Sequence, residues 1–137
     1  MRRGAHCVYD CWYHLVWTPK RRRPVLVGKI ASRVGEMFVE FGLDYDITVD
    51  LIHVGEDHVH LYVGFPPRLS ISRVVNILKS LTAIQLFREF PELRARMVGG
   101  KLWEEGYFAR TVGSGVDASV VRRYIERHEE ESDLADF

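Results

Sequence analysis

Two histidines separated by one apolar residue, His58-Val59-His60, are the first side chains suited to chemistry. They lie in a β-branched and aromatic run, His58 to Phe65, that reads as a strand. Side chains alternate on a strand, so Val59, Leu61 and Val63 face one way and His58, His60 and Tyr62 the other. Imidazoles about 6.6 Å apart on one strand face can converge on one cation. A pair of hydrogen-bonded or solvated histidines on an open sheet would show the same spacing.

Tyr124 and His128 stand at i and i+4, on one face of an amphipathic C-terminal segment. Tyr124 fits a packing stripe with Val121 and Ile125. It also fits a nucleophile. A cation polarises a phosphoryl oxygen as a Lewis acid, and a phenol oxygen attacks the phosphorus. Tyrosine needs such help at neutral pH, because its ordinary pKa is about 10. His128 on an otherwise apolar stripe is a candidate third ligand.

Lys20, Arg21, Arg22 and Arg23 cluster on a loop, and Lys79, Arg88, Arg94, Arg96 and Lys101 follow. Lysine and arginine contacts to phosphate supply most sequence-independent affinity for nucleic acid. Any one of these cations could equally be a solvated surface charge. Trp12, Trp17 and Trp103 could stack bases or fill a core.

These residues need elements to hold them. The pattern predicts a strand over Cys7–Trp17, a helix from Ile30 stopped at Gly42, and a hairpin of Asp46–Val54 with His58–Phe65. Ile47, Val49 and Leu51 are placed on one face of the first hairpin strand. A long helix over Ser70–Phe90, a strand over Lys101–Val112 and a last helix capped by Asp117 complete the order. βαββαβ with an additional C-terminal helix predicts an α+β, ferredoxin-like antiparallel sheet with two helices on one face. The other sheet face must be covered, or must bind something.

With 137 residues, 47% hydrophobic and 28% charged, the chain suits one globular domain, residues 1–137. Disorder and collagen-like fibres are excluded. No apolar run approaches the roughly 20 residues of a membrane span, and no signal peptide is read at the N-terminus. Cys7 and Cys11, placed on one strand, are too far apart to pair, which suits a reducing cytoplasm. The net charge of zero hides blocks: +7 over residues 1–33, −7 over 34–66, +5 over 67–101 and −5 over 102–137. Such segregation can present a basic face to a polyanion, or the blocks can neutralise each other across the fold.

Taken together, the order of short motifs resembles the single-tyrosine HUH transposases of the insertion-sequence 200/605 group, where HUH denotes His, bulky apolar, His. The matching pieces are Tyr13-His14-Leu15-Val16-Trp17, a basic loop ending Arg22-Arg23-Pro24-Val25-Leu26, and Asp57-His58-Val59-His60-Leu61. Further matches are Lys79-Ser80, Leu86 to Pro91, Leu102 to Phe108, and Tyr124-Ile125-Glu126. The resemblance implies cleavage and rejoining of single-stranded DNA at the ends of a mobile element, through a 5′-phosphotyrosine on Tyr124. It implies a homodimer that binds DNA hairpins, with the tyrosine helix able to serve the partner's site. It also implies one divalent ion, Mg2+ or Mn2+, on His58, His60 and the position of His128. Two departures stand out: His128 replaces the family's common glutamine, and Glu56-Asp57 replaces its common Pro-Asp. The alternatives are a domesticated or related HUH endonuclease, and a non-catalytic RNA-binding module on the same topology.

Overall fold

The computed structural model describes residues 2–3, 8–9 and 11–112. Among the described residues, six strands and three α-helices run β1 (Arg2–Arg3), β2 (Val8–Tyr9), β3 (Trp12–Trp17), α1 (Gly28–Asp44), β4 (Thr48–Gly55), β5 (His58–Gly64), α2 (Ile71–Glu89), α3 (Pro91–Arg96) and β6 (Phe108–Val112). The main sheet is antiparallel with order β4-β5-β3-β6. That is the ferredoxin-like arrangement, so the α+β expectation holds. The C-terminal helix proposed to carry Tyr124 lies outside the described residues.

The predicted strand over Cys7–Trp17 is two pieces. β3 begins at Trp12, while Val8 and Tyr9 pair with Arg3 and Arg2 in a separate two-stranded sheet. β3 is central, with β5 on one side and β6 on the other.

One sheet face carries Leu15, Trp17, Val59, Leu61 and Val63, all completely buried with Val34, Met37, Phe38, Val74, Leu78 and Leu86 from the helices. Burying each such aliphatic side chain contributes about 1.5–3 kcal/mol. α1 packs on β4 and against α2. Helix α1 passes through Gly42 instead of stopping there. A Cβ at Gly42 would stand 2.6 Å from the Ile47 carbonyl oxygen, so this glycine admits the returning chain to the helix. Ser70 caps α2 by accepting from the Arg73 N–H at 3.0 Å, as a serine before an apolar-periodic run should. Pro91, read as a break, is the first residue of α3, where its missing N–H costs nothing.

A β-bulge between Val49 and Leu51 corrects the predicted facing of β4. Val49 lies opposite Val63, on the core face, whereas Leu51 lies opposite Tyr62. The extra residue, Asp50, reverses the alternation. Leu51 therefore packs with Trp12, Tyr62 and Val112 on the second face.

Residues 101–107 are loop, not the start of β6. Their strand-like composition serves another pairing. Trp103 bridges to Pro19, the Lys20 N–H donates to the Leu102 carbonyl at 2.8 Å, and the Glu104 N–H donates to the Thr18 carbonyl at 2.9 Å. The Trp103 indole N–H donates to the Lys79 carbonyl and to Thr82 Oγ1, both at 3.1 Å. Trp17 stands edge-on to Phe38 and to Trp103. These two tryptophans are core residues and not base-stacking platforms.

Candidate active site

The second face of the sheet gathers histidines from three strands. His60 lies opposite Val16 of β3 and His53 of β4, and His14 lies opposite Tyr62. Opposed residues share a face, so His14, His53, His58 and His60 all project to one side. His58 and His60 rings are 5.2 Å apart between centroids and perpendicular. His53 stands 5.8 Å from His58 and 6.2 Å from His60. His60 is completely buried and His58 nearly so. The predicted alternation of His58, His60 and Tyr62 against Val59, Leu61 and Val63 is therefore observed, with His58, His60 and Tyr62 buried rather than solvated.

Each of the two HUH imidazoles is held through Nδ1. His58 Nδ1 is 2.9 Å from Asp57 Oδ1, and His60 Nδ1 is 2.9 Å from His14 Nε2. With Nδ1 engaged, Nε2 is the nitrogen each ring can offer a cation. His58 Nε2 is buried with no hydrogen-bond partner among the described residues. Gly55 makes room for that ring, because a Cβ there would strike the His58 imidazole. The pair thus fits a divalent cation of imidazole-tolerant type. Among the described residues no group of three His, Cys, Asp or Glu side chains could hold a metal. Completing the set requires a donor from elsewhere; the expected one, His128, lies outside the described residues, as does Tyr124.

Asp57 also ties the site to the basic loop, accepting from Arg22 Nη2 at 3.2 Å. The loop is a short 3-10 turn over Lys20–Arg22, with Arg21 and Arg22 both in left-handed backbone, at φ 56° and 51°. That conformation costs a non-glycine residue about 1–2 kcal/mol. Contacts around the turn hold it: the Arg22 N–H donates to the Pro19 carbonyl at 2.8 Å and the Arg21 N–H to Glu104 Oε1 at 3.0 Å. Lys20 Nζ donates to Glu104 Oε2 at 3.0 Å.

These contacts sort the basic residues. Lys20 and Arg22 are in ion pairs. Lys79 is half-buried, donating to the carbonyls of Glu104 at 2.7 Å and Gly106 at 3.0 Å. Burial lowers its pKa against the opposing pull of Glu104 and Glu105. Lys79 holds the 104–106 turn. Arg21 and Arg23 are exposed, with no side-chain ion pair among the described residues.

Glu104 is the hub of this corner. The Arg21 N–H, then the Lys20 ammonium and the Glu105 N–H, hold its carboxyl down to about 2, from an ordinary 4.5. A depressed folded pKa stabilises the fold above the unfolded value and loses that effect as pH falls through the folded one. Glu104→Gln should therefore lower stability at neutral pH and make no difference below about pH 2, near the folded-state pKa. Denaturant melts of the two proteins across that range check it, with the gap opening between the two values.

Tyr13 is on the core face, stacked on Phe65 with ring centroids 4.6 Å apart. A hydrogen bond with Cys11, then burial, pushes its phenol up to about 12. It is a poor nucleophile. Tyr62 is buried against Trp12 at 4.8 Å. The aromatic residues of the two central strands are thus packed, where a sheet reading RNA would expose them.

The chain matches the family model described as transposase, IS200 like, over residues 7–128. It belongs to that family. This span includes every proposed site residue, with His128 at its end. The IS200-like chain is 33% identical to the ISDra2 transposase TnpA of Deinococcus radiodurans over 132 residues, covering 96% of this chain and 94% of that one. It is 26% identical to the transposase of insertion sequence IS200 from Salmonella typhimurium, covering 96% and 86%. A crystal structure assigned as a transposase of Deinococcus radiodurans R1 superposes with TM-score 0.76 at 31% identity, covering 93% and 97%. A REP-associated tyrosine transposase bound to a REP hairpin shares the fold, with TM-score 0.55 at 13% identity, covering 90% and 67%. As an IS200-like transposase the protein is a DNA-binding, DNA-cleaving enzyme of DNA transposition. No helix among the described residues is long and apolar enough to cross a membrane.

Proposed function

We propose that this IS200-like transposase, a single HUH domain over residues 1–137, cleaves and rejoins single-stranded DNA at the ends of a mobile element. Tyr124 is the nucleophile, and His58, His60 and His128 hold one divalent cation, Mg2+ or Mn2+. The observation that carries this reading is the pair of perpendicular imidazoles, His58 and His60, each tied through Nδ1 so that both Nε2 atoms are offered to a cation. When bound, the cation supplies Lewis-acid polarisation of the scissile phosphate. The Tyr124 phenol gives up its proton and its oxygen bonds to phosphorus. The phosphorus–O3′ bond breaks, and the departing oxygen takes a proton to become a 3′-hydroxyl. Rejoining reverses these steps with another 3′-hydroxyl. The cytoplasm is the proposed compartment, in keeping with two cysteines that do not pair.

Covalent trapping tests this. A hairpin-bearing single strand, labelled 3′ to the cleavage point, should appear attached to the protein on a denaturing gel when Mn2+ or Mg2+ is present. A label that never migrates with the protein overturns the reading.

The partner DNA is a hairpin, and hairpins bind by charge as well as shape. Since Lys20, Arg22 and Lys79 are engaged within the protein, Arg21 and Arg23 carry the loop's phosphate contacts. Changing both to alanine should make the log–log salt slope of hairpin binding shallower by about 1.5, the value for two phosphates. An unchanged slope would move the DNA path off this loop.

The working state is a homodimer whose sites combine His58 and His60 of one subunit with Tyr124 of the other. Only residues 113–116 separate β6 from the expected helix start at Asp117, a glycine-containing tether that can lead to either subunit. Mixing His60→Ala chains with Tyr124→Phe chains should restore cleavage, because one composite site in each heterodimer is then intact. Heterodimers that form and stay inactive would place both parts of the site in one chain.

A further inference from the structure

We propose that His14 is a positioning residue for the metal centre: it fixes the proton of His60 on Nδ1 and so aims His60 Nε2 at the cation. The proposal rests on the reading of His58 and His60 as ligands. His14 is 1% exposed and His60 is 0% exposed, so their contact is shielded from water. His14 Nε2 and His60 Nδ1 are 2.9 Å apart, and the rings lie nearly coplanar, with centroids 5.1 Å apart and only 14° between their planes. Phe108 stands edge-on to His14, with ring centroids 6.1 Å apart. Both residues sit on central strands of the sheet, β3 and β5, which leaves their backbones little freedom to shift.

The chemistry of neutral imidazole then decides the roles. A ligating nitrogen must offer a lone pair, so a His60 that binds through Nε2 carries its proton on Nδ1. That Nδ1–H can only donate, and His14 Nε2, 2.9 Å away, is placed to accept it. His14 does for His60 what Asp57 does for His58. The two ligands therefore have unlike supports, a carboxylate at 29% exposure for His58 and a buried imidazole for His60. Such supporting groups are worth about 10–100-fold in metal affinity.

Two variants separate this role from packing. His14→Phe keeps a planar aromatic ring, somewhat larger, and removes the acceptor; His14→Gln offers an amide oxygen near the place of Nε2. Mn2+ titration followed by electron paramagnetic resonance should show affinity falling about 10–100-fold in His14→Phe and recovering most of the way in His14→Gln. Nitrogen-15 spectra of the metal-free protein, taken about a unit and a half above the ordinary imidazole pKa, should show the His60 proton on Nδ1, with a coupling across the bond to His14 Nε2. His14→Phe should release it to Nε2. Wild-type protein alone decides the matter if neither variant folds: a His60 proton on Nε2 overturns the proposal. So does a folded His14→Phe with wild-type Mn2+ affinity. If wild type binds no Mn2+, or His58→Ala binds it equally well, the ligand assignment itself fails, while the tautomer spectrum still reports on His14.

Discussion

Tyr124→Phe should abolish DNA cleavage, by on the order of 10⁴-fold or more, and leave hairpin affinity within a few-fold. The size follows from the chemistry: phenylalanine has no oxygen to bond to phosphorus, and losing a nucleophile removes the covalent route outright. The spared affinity follows from the division of labour on this surface. Phosphate contacts position DNA and come from cations, of which Arg21 and Arg23 are the exposed members of the loop. Tyr13 and Tyr62, on the central strands, offer no substitute. Tyr13 is stacked in the core with its phenol pushed up to about 12, and Tyr62 is buried against Trp12. Single-turnover cleavage and a parallel binding titration check both halves. A Phe variant that still forms the covalent adduct moves the nucleophile elsewhere.

The histidine pair was legible because it needs only the two-residue period of one strand: alternation alone puts His58 and His60 together and Val59 and Leu61 in the core. His53 was legible in principle. The turn at Glu56-Asp57 pairs Gly55 with His58, and counting back two residues on each side sets His53 opposite His60. His14 was not legible. Its place beside His60 depends on β3 pairing with β5, strands separated by an entire helix and a further strand, and local periodicity carries no register across that distance. The bulge at Asp50 was hidden for another reason. Ile47, Val49 and Leu51 alternate cleanly on paper, and only the core's need for Ile52 and Val54 beyond them forces the extra residue. The basic loop shows the same limit in charge. Lys20 to Arg23 read as four equivalent cations, yet Glu104 and Asp57, distant in sequence, engage two of them.

His58→Ala and His60→Ala should both eliminate divalent-metal binding and reduce cleavage by a thousandfold or so, the scale of losing a metal's charge stabilisation, but they should differ in stability. His58 sits at the edge of the hairpin, 8% exposed, and its described hydrogen bond is to Asp57, which keeps Arg22 when the imidazole goes. Its loss should move the melting temperature little. His60 is 0% exposed between His14, His53 and His58. Removing it opens a buried void and breaks the contact with His14 Nε2, a loss of about 1–3 kcal/mol. For a domain of this size that lowers the melting temperature by roughly 3–10 °C. Reduced stability in His60→Ala is therefore no evidence against a ligand role; the comparison with His58→Ala is what separates the two effects. Calorimetric melts of the metal-free variants, with Mn2+ titrations on the same samples, measure both. Should His58→Ala bind Mn2+ as tightly as wild type, the cation is not held here, and the imidazole cluster is a structural network.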